Sequence, residues 1–179
     1  MTVTANPKLN TDQIRVLRDR TGAGILECKK ALQEAGNDLD KAVKILYEKG
    51  KTIAASKAGR STQQGLIGSY VHGGRIGVIV EVNCETDFVA RTDQFKALVH
   101  ELCLQIAAMN PEYVSREQIP ADLVPSKGAE IFYKEKVLLE QPFVKDQSKT
   151  VRDVLNEAVL AIRENIVIRR FYRVVLGDA

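Results

Sequence analysis

A strand that runs through a short turn into a helix is indicated by residues 74–95, GRIGVIVEVNCETDFVARTDQF. Every second position from Ile76 to Cys84 is apolar, which is the period of a strand with one buried face. The dipeptide Gly73-Gly74 suits a two-residue hairpin turn, so a partner strand is predicted over residues 66–72. This stretch therefore predicts an antiparallel hairpin, with a partly wet second face that includes Ile79.

Helices and one further strand are predicted after the hairpin. Thr92 opens a strongly amphipathic helix that Asn110-Pro111 ends. A polar helix is predicted over residues 126–140, and Thr150 can cap a last one. Residues 166–176 are rich in β-branched and aromatic side chains and predict a third strand. We therefore expect an α+β core with a small three-stranded antiparallel sheet packed on helices.

Three short helices precede this core. Asn10 can cap the first, the second spans about residues 25–35, and Asp38 can cap a third that Gly50 ends. The segment that follows is basic: it contains Lys51, Lys57 and Arg60 and lacks acidic residues, so it is either a solvated linker or a phosphate-binding segment. The predicted domains are a helical module (1–50), a basic linker (51–64) and the core (65–179).

Composition narrows the class of protein. The chain has 179 residues and 19.8 kDa, with 45% hydrophobic and 27% charged residues, as in soluble globular domains. Its apolar runs are too short for a membrane span, and its N-terminus predicts neither a secretory signal nor a transit peptide. The net charge of +3 does not by itself imply nucleic acid. The odd number of cysteines predicts buried, reduced thiols, and we expect a cytoplasmic protein.

No catalytic motif stands out in the sequence. A phosphate loop, a dinucleotide fingerprint and a zinc-protease motif are all lacking, and the chain has only two histidines. We therefore predict no catalytic residues, no metal site and no cofactor. Phe88, at the strand-to-helix turn, is either a core residue seven positions before Phe95, which spacing alone favours, or an exposed anchor for a partner. His72 beside the hairpin turn is more simply a solvated histidine than a ligand.

Three long segments resemble the elongation factor Ts family, in its short, single-core form. They are LRDRTGAGILECKKALQEAGNDLDKAVKILYEKG (17–50), GRIGVIVEVNCETDFVARTDQF (74–95) with the family's TDFV motif, and QPFVKDQSKTVRDVLNEAVLAIRENIVIRRFYRVVLG (141–177). The resemblance covers nearly the whole chain. It implies a UBA-like N-terminal module and a non-enzymatic guanine-nucleotide exchange factor for elongation factor Tu in translation.

The resemblance also implies a role for particular residues. In the family, the TDFV turn reaches the partner's nucleotide domain close to its magnesium and phosphate site, which assigns Asp87 and Phe88 as central contacts, supported by Thr86 and Val89. The N-terminal module docks on a helix of the same domain, which assigns Arg18, Ile25 and Leu26. Many relatives have two methionines at the positions of Ile25 and Leu26. The hairpin of residues 68–78 resembles the second core of longer relatives, where a histidine contacts another partner domain.

A symmetric dimer follows from the single core. In a homodimer, one core would supply the Thr86–Val89 turn and the other the His72 hairpin to a given elongation factor Tu molecule. The expected assembly is then a 2:2 complex with elongation factor Tu. Ile79, with Tyr70 and Phe171 nearby, is the expected apolar surface for the pairing. Arg163 stands where a glycine is frequent in the family, and the sequence assigns it no role. The alternatives from other classes are a basic RNA-binding protein of translation, using the linker and the arginines of the last strand, and an enzyme with an unrecognised site.

Overall fold

The computed structural model describes residues 11–178. Their contacts group into two units. The first contains the described residues up to Ala58 together with Asn156–Arg163, and the second contains Gly59–Leu155 and the residues from Glu164 onward. The expected domain boundaries at residues 50 and 64 stay a prediction. The elements, in chain order, are α1 (Thr11–Thr21), α2 (Ile25–Glu34), α3 (Leu39–Lys57), β1 (Gln64–His72), β2 (Ile76–Cys84), α4 (Asp87–Ala90), α5 (Asp93–Met109), α6 (Ala129–Lys136), β3 (Pro142–Phe143), β4 (Asp146–Thr150), α7 (Val151–Ile162) and β5 (Ile166–Val175).

The first unit is built from the three predicted N-terminal helices and the second half of α7. Asp38 caps α3 as predicted, because its Oδ1 accepts hydrogen bonds from the backbone N–H groups of Asp40 and Lys41 at 3.0 Å each. The predicted cap of α1, Asn10, lies outside the described residues. Apolar side chains at helical spacing meet in one buried cluster, formed by Leu17, Ala23, Cys28, Ala31, Leu32, Ala42, Leu46 and Leu160.

Helix α3 does not end at Gly50, and this prediction is wrong. The helix continues to Lys57, so the first part of the expected linker is helical. A Cβ added at Gly50 would lie 3.3 Å from the carbonyl oxygen of Asn156 on α7. The glycine therefore allows two helices of the first unit to approach closely, and it is not a stop signal.

The second unit contains the expected three-stranded antiparallel sheet, in the order β1-β2-β5, and the α+β class is confirmed. Gly73 and Gly74 have φ angles of 54° and 67°, which suit a type I′ turn. The turn closes with a hydrogen bond of 2.9 Å from Arg75 N to His72 O. Because the strands alternate, one face of the sheet is buried under α5, through Val78, Val80, Val82 and Cys84.

Tyr70 and Phe171 are not beside Ile79, contrary to expectation. Tyr70 pairs with Val78, and Phe171 pairs with Val80, whose side chains belong to the buried face. Residues directly opposite each other in an antiparallel pair share a face, so both aromatic rings lie on the helix side of the sheet. The partners of Ile79 are Ser69 and Tyr172 instead.

Between α5 and α7 the chain is less regular than predicted. Helix α6 is shorter than the expected 126–140, and the small hairpin of β3 and β4 was not predicted. Two fully buried glutamines hold this region on α5: Gln105 Nε2 donates to Gln141 Oε1 at 3.1 Å, and Gln105 Oε1 accepts from Val144 N at 2.7 Å. These two side-chain amides thus provide hydrogen bonds that regular secondary structure does not supply in this region.

Helix α7 has the predicted N-cap and an unpredicted end. Thr150 Oγ1 accepts from Asp153 N at 3.2 Å, and Thr150 N donates to Asp153 Oδ2 at 2.9 Å. At the other end Arg163 has a left-handed φ of 68°, and its N–H bonds to Val159 O at 2.9 Å. This left-handed conformation favours glycine, in agreement with the glycine that the family resemblance implies at this position. The Arg163 side chain pairs with Glu27 at 3.0 Å.

Candidate functional site

The predicted site residues Thr86, Asp87, Phe88 and Val89 form one turn between β2 and α5. Thr86 is the N-cap of α4, and its Oγ1 accepts a hydrogen bond from Val89 N at 3.4 Å. Thr92 starts α5 in the same way, accepting from Phe95 N at 3.2 Å. Two successive caps therefore separate the turn from the long helix.

Phe88 projects from this turn into solvent. The solvent-exposed fraction of this large apolar side chain is 79%. The core alternative for Phe88 is therefore wrong, whereas Phe95 is fully buried. Spacing failed here because the helix break between the two residues removes their common face. Beside the ring, Asp87 makes an i,i+4 ion pair with Arg91 at 2.9 Å.

The turn is fixed to the start of β5 by Glu164, which sequence reasoning missed. The Glu164 carboxylate accepts from Glu85 N and Thr86 N at 3.0 Å each, and from Thr86 Oγ1 at 2.6 Å. In return, Glu85 Oε1 accepts from Asn165 N at 2.7 Å. Burial and then the Glu164 charge raise the pKa of Cys84, so its thiol stays protonated and donates to Thr86 O at 3.1 Å.

The N-terminal candidates lie around the turn from α1 to α2. Ile25 and Leu26 open α2 and are 57% and 71% exposed, and Arg18 near the end of α1 is exposed as well. Ile25 is not part of the buried cluster of the first unit, although it lies one helical turn before the buried Cys28. The first turn of α2 presents apolar surface to solvent, which is unusual for two adjacent large side chains.

His72 lies at the opposite end of the hairpin from the Thr86–Val89 turn. The length of β2 separates the two positions by about 25 Å, so the structure does not bring them together. His72 Nδ1 lies 3.0 Å from Tyr70 Oη. Both rings line a cavity of about 440 Å³, together with apolar residues of α5 and the basic side chains of Lys145 and Arg173. The histidine is thus part of a shaped surface rather than an isolated turn residue.

The basic segments are engaged in internal contacts. Lys51 pairs with Glu48 at 3.1 Å and lies 4.1 Å from the centre of the Tyr47 ring. Arg60 pairs with Glu85 at 3.3 Å. On β5, Arg170 lies 2.8 Å from the Glu81 carboxylate, and Arg173 donates to the carbonyl of Ala107. These contacts weaken the case for a phosphate-binding surface.

Within residues 11–178, His, Cys, Asp and Glu side chains form no group of three or more that could hold a metal ion. The cysteines 28, 84 and 103 are free and buried, as predicted. Burial raises the pKa of the Cys103 thiol to about 11. No helix within the same residues is long and apolar enough to cross a membrane.

Comparisons with known proteins agree on one family. The sequence model described as "Elongation factor TS" matches residues 25–131. The chain is 50% identical to the elongation factor Ts of Coprothermobacter proteolyticus, over 96% of this chain and 100% of the relative. The chain belongs to the elongation factor Ts family. Among other members, it is 49% identical to that of Thermoanaerobacter sp. (strain X514), over 95% of this chain and 96% of the relative, and 46% identical to that of Moorella thermoacetica, over 92% and 94%.

The region that the family model matches includes the candidate turn. It runs from the first residue of α2 to α6, so it contains Ile25, Leu26, His72 and the Thr86–Val89 turn. Glu164 lies outside it. The elongation factor Ts resemblance inferred from the sequence is therefore confirmed at the level of the family, and the individual site residues stay predictions.

Proposed function

We propose that this protein is the guanine-nucleotide exchange factor for elongation factor Tu in translation elongation and works in the cytoplasm. Its task is to promote GDP release without making or breaking a covalent bond. The observation that carries the proposal is the outward-pointing Phe88, 79% exposed on a capped turn whose backbone is anchored. An exposed aromatic ring on a rigid support suits a residue that binds by insertion into a partner.

The proposed mechanism couples docking to nucleotide affinity. The Thr86–Val89 turn docks on the nucleotide domain of elongation factor Tu, where Phe88 disturbs the magnesium and phosphate site. By thermodynamic linkage the factor and GDP weaken each other's binding by the same ratio, and each ~1.4 kcal/mol of coupling changes that ratio tenfold. A ring that is already fixed in its binding orientation keeps this energy, because little ordering entropy is lost on docking.

The N-terminal module supplies a second contact in this proposal. Arg18, Ile25 and Leu26 dock on a helix of the same nucleotide domain. Their exposure supports this role, since burying two large apolar side chains on binding favours association. Docking through a surface separate from Phe88 provides affinity for both nucleotide states, whereas the turn provides the discrimination between them.

We further propose a symmetric homodimer that forms through the outer face of the sheet. Three large side chains on adjacent strands stand opposite or next to one another there: Ile79 on β2, Tyr172 paired with it on β5, and Val71 on β1. All three are more than half exposed. A second copy is the occupant that fits, because a two-fold axis covers the same apolar face on both chains at once.

The dimer gives His72 its proposed role. In a 2:2 complex, each core would present Phe88 to one elongation factor Tu and the His72 hairpin to the other. Light scattering at micromolar concentration should give about twice 19.8 kDa for the free protein. Ile79→Asp should shift it to a monomer, whereas the control Ile131→Asp on α6, a more exposed isoleucine, should not. A wild-type monomer that is fully active would contradict the dimer and the role of His72.

The exchange function is tested by release of a fluorescent GDP from purified elongation factor Tu. Adding the protein in catalytic amounts should accelerate release by orders of magnitude, with GTP or unlabelled GDP as the incoming nucleotide. Unchanged release at saturating protein would contradict the proposed function. A steeply salt-dependent affinity for RNA, in its place, would favour the RNA-binding alternative.

A further inference from the structure

We propose that Glu164 is the positioning residue of the exchange site: its carboxylate fixes the Thr86–Val89 turn and thereby the direction in which Phe88 projects. This inference rests on the proposed function of that turn. Glu164 lies 78 residues after Thr86 in the chain and accepts three hydrogen bonds from the two residues that follow β2. It touches no atom of Phe88 in these contacts, so it acts through the backbone of the turn.

The turn requires an external support of this kind. Helix α4 has only four residues, Asp87–Ala90, and a single helical turn is unstable without outside contacts. The ladder between β2 and β5 ends at the pair Cys84 and Ile166. The N–H groups of Glu85 and Thr86 therefore lie beyond the sheet, and the Glu164 carboxylate is their acceptor at 3.0 Å. Hydrogen bonds to an ionised acceptor are about twice as strong as neutral ones.

The third hydrogen bond links the Glu164 carboxylate to Thr86, the N-cap residue of α4. Thr86 Oγ1 donates its single proton to Glu164 Oε1 at 2.6 Å. The hydroxyl lone pairs are then free to accept from Val89 N, which lies at 3.4 Å. The next residue closes the turn with a bond from Ala90 N to Thr86 O at 3.3 Å. Phe88 lies between Thr86 and these two anchored amides, so its backbone direction follows from the hydrogen bonds that Thr86 accepts.

A reciprocal set of contacts keeps Glu164 itself in place. Asn165 N donates to Glu85 Oε1 at 2.7 Å, and Asn165 Nδ2 donates to Arg60 O at 2.9 Å. Asn165 is buried. Two adjacent residues before β5 thus engage two adjacent residues after β2 in both directions. This pairing prevents the carboxylate from turning to solvent, where it would no longer hold the turn.

The functional consequence is a loss of pre-organisation when the carboxylate is removed. In Glu164→Gln the side chain keeps its size but places an NH₂ group among N–H and O–H donors. The turn then samples several orientations, and docking has to order it again. Ordering one or two side chains and their backbone on binding corresponds to a fall of about tenfold in kcat/KM for GDP release.

A double-mutant cycle with Phe88→Ala separates positioning from general stability. The four proteins are the wild type, Glu164→Gln, Phe88→Ala and the double variant, each assayed for GDP release from elongation factor Tu and for melting temperature. We expect Glu164→Gln to lower kcat/KM about tenfold in the wild-type background and less than twofold in the Phe88→Ala background. The control Glu130→Gln, on α6 and paired with Arg116, should leave kcat/KM unchanged.

Amide hydrogen exchange of the uncomplexed protein gives a readout that does not depend on activity. The amides of Glu85, Thr86 and Val89 should lose protection in Glu164→Gln, while those of α5 keep it. Unchanged protection, or an equal loss of kcat/KM in both backgrounds, would overturn the positioning role even if Phe88 is essential. If Phe88→Ala leaves exchange unchanged, the proposed function of the turn fails, and the inference fails with it.

Discussion

Replacing Phe88 with alanine should separate activity from stability. Truncating a fully buried Phe costs about 3–5 kcal/mol. Only about a fifth of the Phe88 surface is buried, because its exposure is 79%. In proportion, Phe88→Ala should lower the free energy of unfolding by less than about 1 kcal/mol. In a chain of 179 residues this corresponds to a fall in Tm of no more than about 4 °C.

The same change should strongly reduce nucleotide exchange. A central aromatic anchor contributes about 2–4 kcal/mol to an interface. At ~1.4 kcal/mol per tenfold change, kcat/KM for GDP release should fall by about 30- to 700-fold. The assay is stopped-flow release of fluorescent GDP from elongation factor Tu, combined with thermal unfolding of each variant. Ile131→Ala, on α6 and 65% exposed, is the matched control and should change neither quantity appreciably.

Two results would refute this reasoning. A fall in Tm of about 10 °C or more, with normal exchange by the protein that remains folded, would mean that Phe88 is a core residue. A fall in exchange of the same size in Ile131→Ala would mean that the loss reflects exposed apolar area in general and not the turn.

Further predictions concern packing, backbone and thiol chemistry. Gly68→Ala should lower the free energy of unfolding in urea by about 1–3 kcal/mol, because a Cβ there would lie 3.1 Å from Cys103 Sγ and closer still to Val99 Cγ1. The control Gly59→Ala, with open space around the added Cβ, should not lower it. Equal stability of the two variants would contradict the packing argument. Arg163→Gly should be more stable than Arg163→Ala by about 1 kcal/mol. Both variants lose the ion pair with Glu27, but only alanine is strained at a φ of 68°. Indistinguishable unfolding curves of the two variants would argue against backbone strain. Because burial raises its pKa to about 11, Cys103 should resist iodoacetamide at pH 8 in the folded protein and react after unfolding, and rapid labelling of the folded protein would contradict its burial.

Elements with a strong local pattern were predictable from the sequence. The alternation of β2 and the Gly73-Gly74 turn fix the hairpin, because both are local properties of the backbone. Helix α5 followed from its apolar stripe and the Thr92 cap. The N-cap of α7 at Thr150 followed from the same logic. In each case the residues that determine the element lie within it.

Structural features that depend on contacts between residues far apart in the sequence were not predictable. Gly50 looked like a helix stop, but its small size serves close packing near Asn156, more than 100 positions later in the chain. The hairpin of β3 and β4 has no alternating pattern and depends on hydrogen bonds to the buried Gln105. Glu164 carried no local signal for the site, since its partners at the end of β2 are 78 or more residues away.

The exposure of the Phe88 ring is a point on which residue spacing and the family resemblance gave different predictions. Spacing placed Phe88 in the core with Phe95, whereas the resemblance to the elongation factor Ts family placed it outside. The structure decides for exposure because the caps at Thr86 and Thr92 start two separate helices. The resemblance thus corrected an inference that periodicity alone would have made wrongly.

The central claim is that this protein distinguishes elongation factor Tu without nucleotide from the same protein bound to GDP, and does so through the Thr86–Val89 turn. Isothermal titration calorimetry of the full chain against both forms tests it most directly. We predict that the wild type binds the nucleotide-free form at least about 100-fold more tightly, a coupling of ~2.8 kcal/mol, and that Phe88→Ala removes most of that ratio. Equal affinity of the wild type for the two forms would contradict the claim, because a ligand with no preference between two states cannot drive GDP off.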